Sequence, residues 1–397
     1  MNYINVTYLL SSNKKFNVEE KAKRLAEELT IGSENNLRFN PKLKTYEGKV
    51  VEYLDFYEKD KRLYKALITI GFPLILFKHD IPSLFTVIFG KLSMEENIKL
   101  INIEFPPTYL DYFQGPRYGI TGIRELIGIK HEPLLLGVIK GAFGLSSEQY
   151  SQVFFQMASA GFDIVKDDEI FFDEATAPFE ERIEHCLKIA EEAERITGRK
   201  TLYVPNLTGH IDELYKKVEK GLKAGIKLFL INVVPYGFDV LQTLSQNLNA
   251  GFIAHPSFSG AIYQSDYTGI DSTLLIGKLM RLAGADAVIF PSPYKNFPHT
   301  KSMEISTALK EDFENIKPSF PIPTGGISIE KIPQVYKDFG TQVIINTGGY
   351  PYTHPDGIFA GSKAYRDLLD CTMNGVSTEE CRLASEELDK FLKIYEK

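Results

Sequence analysis

A ferredoxin-like α+β domain followed by a (β/α)8 TIM barrel is the fold class the sequence predicts, and three observations lead to it. Residues up to about 130 alternate apolar strands and helices in the order βαββαβ. Beyond them, eight short apolar runs recur in about 250 residues with helical segments between, which implies parallel strands and favours a closed barrel over an open sheet. The conspicuous polar residues fall at the carboxyl ends of those runs, where a barrel gathers its chemistry.

In the first part, Tyr3–Leu10 reads as a strand and Val18–Leu29 as a helix with Ala22, Leu25, Ala26 and Leu29 on one face. Lys49–Phe56 and Tyr64–Gly71 form a hairpin pair, Ile81–Phe89 a second helix and Ile98–Phe105 a further strand. The pattern breaks at Gln114-Gly115-Pro116-Arg117-Tyr118-Gly119, and the chain divides into an N-terminal unit, 1–128, and a barrel, 129–397. The barrel runs are Leu134–Lys140, Phe162–Glu169, Thr201–Leu207, Leu228–Val234, Phe252–Phe258, Ala287–Pro293, Ile322–Ile327 and Gln342–Gly348. The clearest helices between them are Pro178–Gly198, His210–Gly225, Ser272–Ala285 and Ile329–Phe339. Thr378–Tyr395 reads as one amphipathic packing helix carrying Leu383, Leu388, Phe391 and Leu392.

Composition excludes several functions. A formal charge of -7 leaves no basic footprint for nucleic acid. No stretch approaches the roughly 18 apolar residues needed to cross a bilayer, and Met1–Tyr8 lacks the pattern of a signal peptide, so the cytoplasm is the expected compartment. Cys186, Cys371 and Cys381 make no Cys-x-x-Cys pair and are expected to be reduced thiols without a catalytic role.

Lys166-Asp167-Asp168-Glu169 ends the second barrel run. Strand periodicity puts Lys166 and Asp168 on one face and Asp167 on the other, while Glu169 falls where the chain turns away. Two carboxylates suit a hard cation such as Mg2+, which keeps waters and takes substrate oxygens. A lysine beside them would repel the cation, unless CO2 converts its amine to a carbamate; a simple salt-bridged lysine is the competing reading. Thr324-Gly325-Gly326 and Thr347-Gly348-Gly349 follow the seventh and eighth runs, where barrels place a phosphate and where glycines let the backbone approach an anion. Asp167 is expected to be a salt-bridge or capping residue.

These residues, with Lys140-Gly141, occur in the order and rough spacing seen in the RuBisCO large subunit. Phe89-Gly90-Lys91-Leu92-Ser93, Lys166–Phe172, Ala177-Pro178-Phe179-Glu180, Asn206-Leu207-Thr208-Gly209, Ala254-His255-Pro256 and Phe290-Pro291-Ser292-Pro293-Tyr294 resemble its non-carboxylating relatives, the form IV RuBisCO-like proteins. Among those they look most like the 2,3-diketo-5-methylthiopentyl-1-phosphate enolases of methionine salvage. The resemblance implies an isomerase that forms a metal-stabilised enolate by proton abstraction. It implies Mg2+ on Asp168, Glu169 and Lys166 as its carbamate, with CO2 as activator, and Lys91 as the base, supplied by the neighbouring subunit of a homodimer or a multiple of dimers. Lys140 and His255 would serve at the active site, and Thr324, Gly325, Gly326, Gly348 and Gly349 would hold the phosphate of a small phosphorylated substrate. His354 is expected to be a loop residue near the site.

Departures qualify the substrate. The proline-rich segment Pro291–Pro298 stands where RuBisCO has a mobile loop with a lysine, which argues against carboxylation of ribulose bisphosphate. Lys295-Asn296-Phe297 and Tyr350-Pro351-Tyr352 are bulky where the enolases run small, so another substrate tail stays open. Two alternatives also stand: a different enolate-based isomerase or decarboxylase of a sugar-acid phosphate, and a non-catalytic protein that binds a phosphate ligand.

Overall fold

The computed structural model describes residues 3–396. Four strands, β1 (Tyr3–Ser12), β2 (Lys49–Glu58), β3 (Leu63–Pro73) and β4 (Ile98–Glu104), form an antiparallel sheet in the order β4-β1-β3-β2. This is the ferredoxin-like arrangement. Strand periodicity sets its faces: Ile4, Val6, Tyr8 and Leu10 of β1 are buried while Tyr3, Asn5 and Thr7 are half-buried. The helix Val18–Glu28, capped by Asn17, packs Ala22, Leu25 and Ala26 inward as its spacing predicts. The predicted helix Ile81–Phe89 differs. It is α-helical over Ile81–Phe85 and then widens into a π turn, Thr86–Gly90, that ends at Lys91.

The barrel consists of β5 (Leu134–Ile139), β6 (Ile164–Asp167), β7 (Leu202–Val204), β8 (Leu228–Asn232), β9 (Gly251–His255), and, after the short β10 (Gly269–Ile270), β11 (Ala287–Pro291), β12 (Phe320–Thr324) and β13 (Ile344–Asn346). All neighbours are parallel. The ring closes between β7 and β8, where the Leu207 amide donates to the Leu230 carbonyl at 3.0 Å and the Leu230 amide to that of Pro205 at 2.9 Å. Alternate residues of each strand enter two separate cores. Leu134, Leu136, Val138, Ile164, Leu230, Ile253, Ile289 and Ile322 fill the barrel, whereas Leu135, Ile139, Val165, Phe229 and Phe252 face the helices. Burial on both faces explains why these runs are continuously apolar.

The helix Gly119–Ile127 closes the bottom of the barrel with Ile120, Ile123 and Ile127. Its start is held by buried Asp286, which accepts from the amides of Tyr118, Gly119 (2.8 Å) and Phe252 (2.8 Å). The two domains are joined by β10, which adds to the N-terminal sheet parallel to β4. Lys99 and Lys278 tie the same seam by donating to the carbonyls of Tyr263 (3.1 Å) and Ile103 (3.0 Å). Nothing in the local pattern signals this strand of two residues.

Two expectations are overturned. Thr378–Tyr395 is not one helix but two, Thr378–Ala384 and Glu386–Leu392, because the extended Ser385 caps the second and hydrogen-bonds Asp367 at 2.7 Å; Leu383 points to solvent instead of packing. Cys371 and Cys381 are not free thiols. The chain turns back after the helix Ile358–Met373, bringing their Cα atoms to 6.0 Å, and they form a disulfide; Cys186 is free and buried. Among the described residues no helix is long and apolar enough to cross a membrane.

Candidate active site

Period-two alternation inside the barrel decides what reaches its mouth. Lys140 follows the inward parity of Val138, Lys166 and Asp168 that of Ile164, Asn206 that of Val204, Asn232 that of Leu230, and His255 that of Ile253. The carboxyl ends of five neighbouring strands, β5 to β9, thus place charged and amide groups on one apolar floor. Lys140 Nζ lies 2.8 Å from Asp168 Oδ2 and 4.0 Å from Glu169 Oε1. Lys166 Nζ lies 3.5 Å from Glu169 Oε2 and donates to the Asp167 carbonyl at 3.0 Å. His255 Nε2 completes the group, 3.7 Å from Glu169 Oε2.

Protonation follows from this crowding. Burial lowers the pKa of Lys166, which makes a neutral amine accessible. Burial and the adjacent Glu169 raise Asp168; for Glu169 burial works upward, but the hydrogen bond from Asp168 and the Lys166 and Lys140 ammoniums bring it down to about 2. His255 is pushed down to about 3 by burial and by the Lys166 and Lys140 charges, so it is neutral near pH 7. The Ser257 amide donates to its Nδ1 at 3.2 Å, which leaves the ring proton on Nε2, facing Glu169.

Behind this group lies a polar knot that supports it. Asp167, fully buried on the outward face of β6, accepts from Tyr150 at 2.5 Å, Tyr203 at 2.6 Å, Arg182 at 3.0 Å and the Asn206 amide at 2.9 Å. The expected salt-bridge role is what the geometry shows. Asn206 Nδ2 donates to the carbonyls of Glu169 (3.1 Å) and Phe171 (3.0 Å), and Asn232 Nδ2 to that of Glu169 (3.1 Å), so the turn carrying the two acids is clamped from two strands. Both asparagines end barrel runs, and nothing in the letters marks their role. Arg182 is equally unmarked, because its partner is fifteen residues away across a strand–helix unit.

The residues fit a divalent cation. Asp168 Oδ1 and Asn232 Oδ1 are buried without a hydrogen-bond partner, and an oxygen left so is what a cation would satisfy. Among the described residues no group of three His, Cys, Asp or Glu side chains is arranged to hold a metal, so the two acids and the Asn232 oxygen would share such an ion with waters. Lys140 stands where its ammonium now neutralises Asp168.

The other predicted residues are dispersed. Thr324, Gly325, Gly326, Gly348 and Gly349 line one cavity of about 580 Å³ at the ends of β12 and β13, with Lys295 and Lys331 on its walls. Gly325, Gly326 and Gly348 have left-handed backbones (φ +86°, +70° and +59°) that other residues resist. Lys91 is not brought to the mouth within this chain. It is exposed and sits 3.5 Å from Glu28. His354 is a structural residue: Nδ1 accepts from Asp356 at 3.0 Å, and Nε2 lies 3.0 Å from the Glu387 carbonyl. Its neighbour Tyr352 is the residue that reaches the site, accepting from the Lys140 amide at 2.8 Å.

Comparison with known proteins agrees with the two-domain fold. Residues 2–109 match the ribulose bisphosphate carboxylase large chain N-terminal domain, and residues 119–395 match its catalytic domain. The chain is 37% identical to a 2,3-diketo-5-methylthiopentyl-1-phosphate enolase of Geobacillus thermodenitrificans, covering 98% of this chain and 97% of the relative. A crystal structure of a rubisco-like protein from Alicyclobacillus acidocaldarius superposes with a TM-score of 0.92 at 33% identity, covering 99% of this chain and 100% of the other. A dimeric archaeal Rubisco from Hyperthermus butylicus gives 0.89 at 28% identity, covering 99% of this chain and 95% of the other.

Proposed function

Because the chain belongs to the ribulose bisphosphate carboxylase large-chain family, we propose that it is an enolase, a keto–enol isomerase acting on 2,3-diketo-5-methylthiopentyl-1-phosphate or a close relative. The observation that carries this reading is the convergence of Asp168, Glu169 and buried Lys166 at the barrel mouth, with one Asp168 oxygen lacking a partner. These three would hold Mg2+, Lys166 as the carbamate formed with CO2. A bound divalent ion supplies Lewis-acid stabilisation of negative charge on a substrate oxygen.

The protein's own groups do the rest. Lys140 Nζ brings a positive charge, and the neutral His255 a donor on Nε2, to the side of the mouth where an oxyanion develops. The cavity edged by Thr324, Gly325, Gly326, Gly348 and Gly349 takes the phosphate. The base is Lys91 of the partner subunit, which removes the proton from the carbon beside the carbonyl. Lys91 has no hydrogen bond or ion pair to any mouth residue of its own chain, which supports a homodimer or a multiple of dimers as the working unit.

The direct test follows enol formation spectroscopically, and proton exchange in D2O, with the diketo phosphate, Mg2+ and bicarbonate. Turnover dependent on both additives is expected; exchange retained in Lys91→Ala would remove the assignment of the base. One observation favours a second reading in which the enolate step is kept and the substrate tail differs: a Cβ on Gly325 would lie 3.3 Å from the Phe297 ring, so the bulky loop covers this end of the cavity. A panel of phosphorylated ketoses and oxo acids separates the two. A cytoplasmic setting is part of the proposal.

A further inference from the structure

The two glycine pairs edging the phosphate cavity are not equivalent. A side chain on Gly348 or Gly349 would meet nothing within 4 Å, so that turn faces open space. Gly326 instead lies beneath the Tyr294–Phe297 loop, where a Cβ would come within 2.8 Å of the Tyr294 carbonyl oxygen and 3.0 Å of Lys295 Cβ. Ser292 fastens this contact by donating to the Gly325 carbonyl and accepting from the Tyr294 amide at 3.2 Å, and Tyr294 is anchored to Asp338 at 2.8 Å. Pro291, Pro293 and Pro298 limit the loop further.

The loop therefore holds Lys295 against the cavity wall. Its ammonium lies 5.1 Å from the centre of the Phe297 ring. Among the described residues it has no carboxylate partner, and neither has Lys331 on the same cavity. Two unneutralised cations beside an open glycine turn match a dianion.

We propose that Lys295 supplies the charge that binds the substrate phosphate on the Gly348–Gly349 turn, and that the Gly325–Gly326 pair serves to seat the loop presenting it. This rests on the phosphate reading of the cavity given above. An ordinary surface lysine would be mobile, whereas one positioned by a ring and three prolines loses less freedom on binding and gains a charge-assisted hydrogen bond.

The experiment is calorimetric titration of inorganic phosphate into the intact protein at low and moderate salt, for wild type, Lys295→Gln and Gly349→Val, with thermal melts as the folding control. Lys295→Gln is expected to weaken binding about tenfold and to flatten its salt dependence. Unchanged affinity in Lys295→Gln, with binding abolished in Gly349→Val, overturns the role of Lys295 and leaves the phosphate site standing. Equal affinity in all three proteins removes the phosphate site and this inference together.

Discussion

Replacing Asp167 by Asn tests how the mouth is supported. The four groups that donate to Asp167 come from three segments, and neither Asp167 nor Arg182 is exposed. A carboxamide oxygen can still accept from Tyr150 and Tyr203, but the new NH2 would face Arg182 and the Asn206 amide, donor against donor. At 3.0 Å the lost Asp167–Arg182 attraction is about 5 kcal/mol with an effective dielectric of 20. Breaking one side of a buried pair costs about 3–5 kcal/mol in practice, since the remaining charge is uncompensated. Urea unfolding should therefore show a loss of about 3–5 kcal/mol for Asp167→Asn and a similar loss for Arg182→Met. The double variant should lose about 2 kcal/mol less than the sum of the two, because it leaves no buried charge behind. Single losses below about 1 kcal/mol, or strict additivity, would refute the account of this knot as a mutually dependent ion pair.

Three other outcomes are expected. Mixing Lys91→Ala with Lys166→Ala subunits should restore about a quarter of wild-type activity, since half the dimers are mixed and each carries one intact site; no recovery after confirmed subunit exchange counts against a shared site. Burial raises Asp286 to about 6 despite three backbone donors, so the native state holds an extra proton between about pH 4 and 6, and stability is lost as pH rises through that window. That loss is on the order of 3 kcal/mol and should vanish from the pH profile of Asp286→Asn, whatever the variant's absolute stability. Reducing Cys371–Cys381, which closes a loop with a sequence separation of 10, should cost about 2–3 kcal/mol and show as faster amide exchange in Thr378–Leu392. A disulfide persisting in thiol-trapped cell extracts would weigh against the cytoplasmic setting.

Local periodicity determined much of this protein. The alternation of apolar runs and helices was enough for the barrel, and the two-residue repeat of a strand was enough to send Lys166 and Asp168 inward and Asp167 outward, because side-chain direction in a strand depends only on parity. The same parity carried Lys140, Asn206, Asn232 and His255 to one rim. Tertiary structure alone decided what those groups meet. Arg182 finds Asp167 only after a helix folds back on its strand, Cys381 finds Cys371 only after a turn, and β10 joins a sheet built by residues far earlier in the chain. The two Gly-Gly pairs read alike as letters, yet the space above Gly349 is open and that above Gly326 is filled by another loop. Orientation follows from neighbours along the chain, whereas partnership follows from distances that only packing sets.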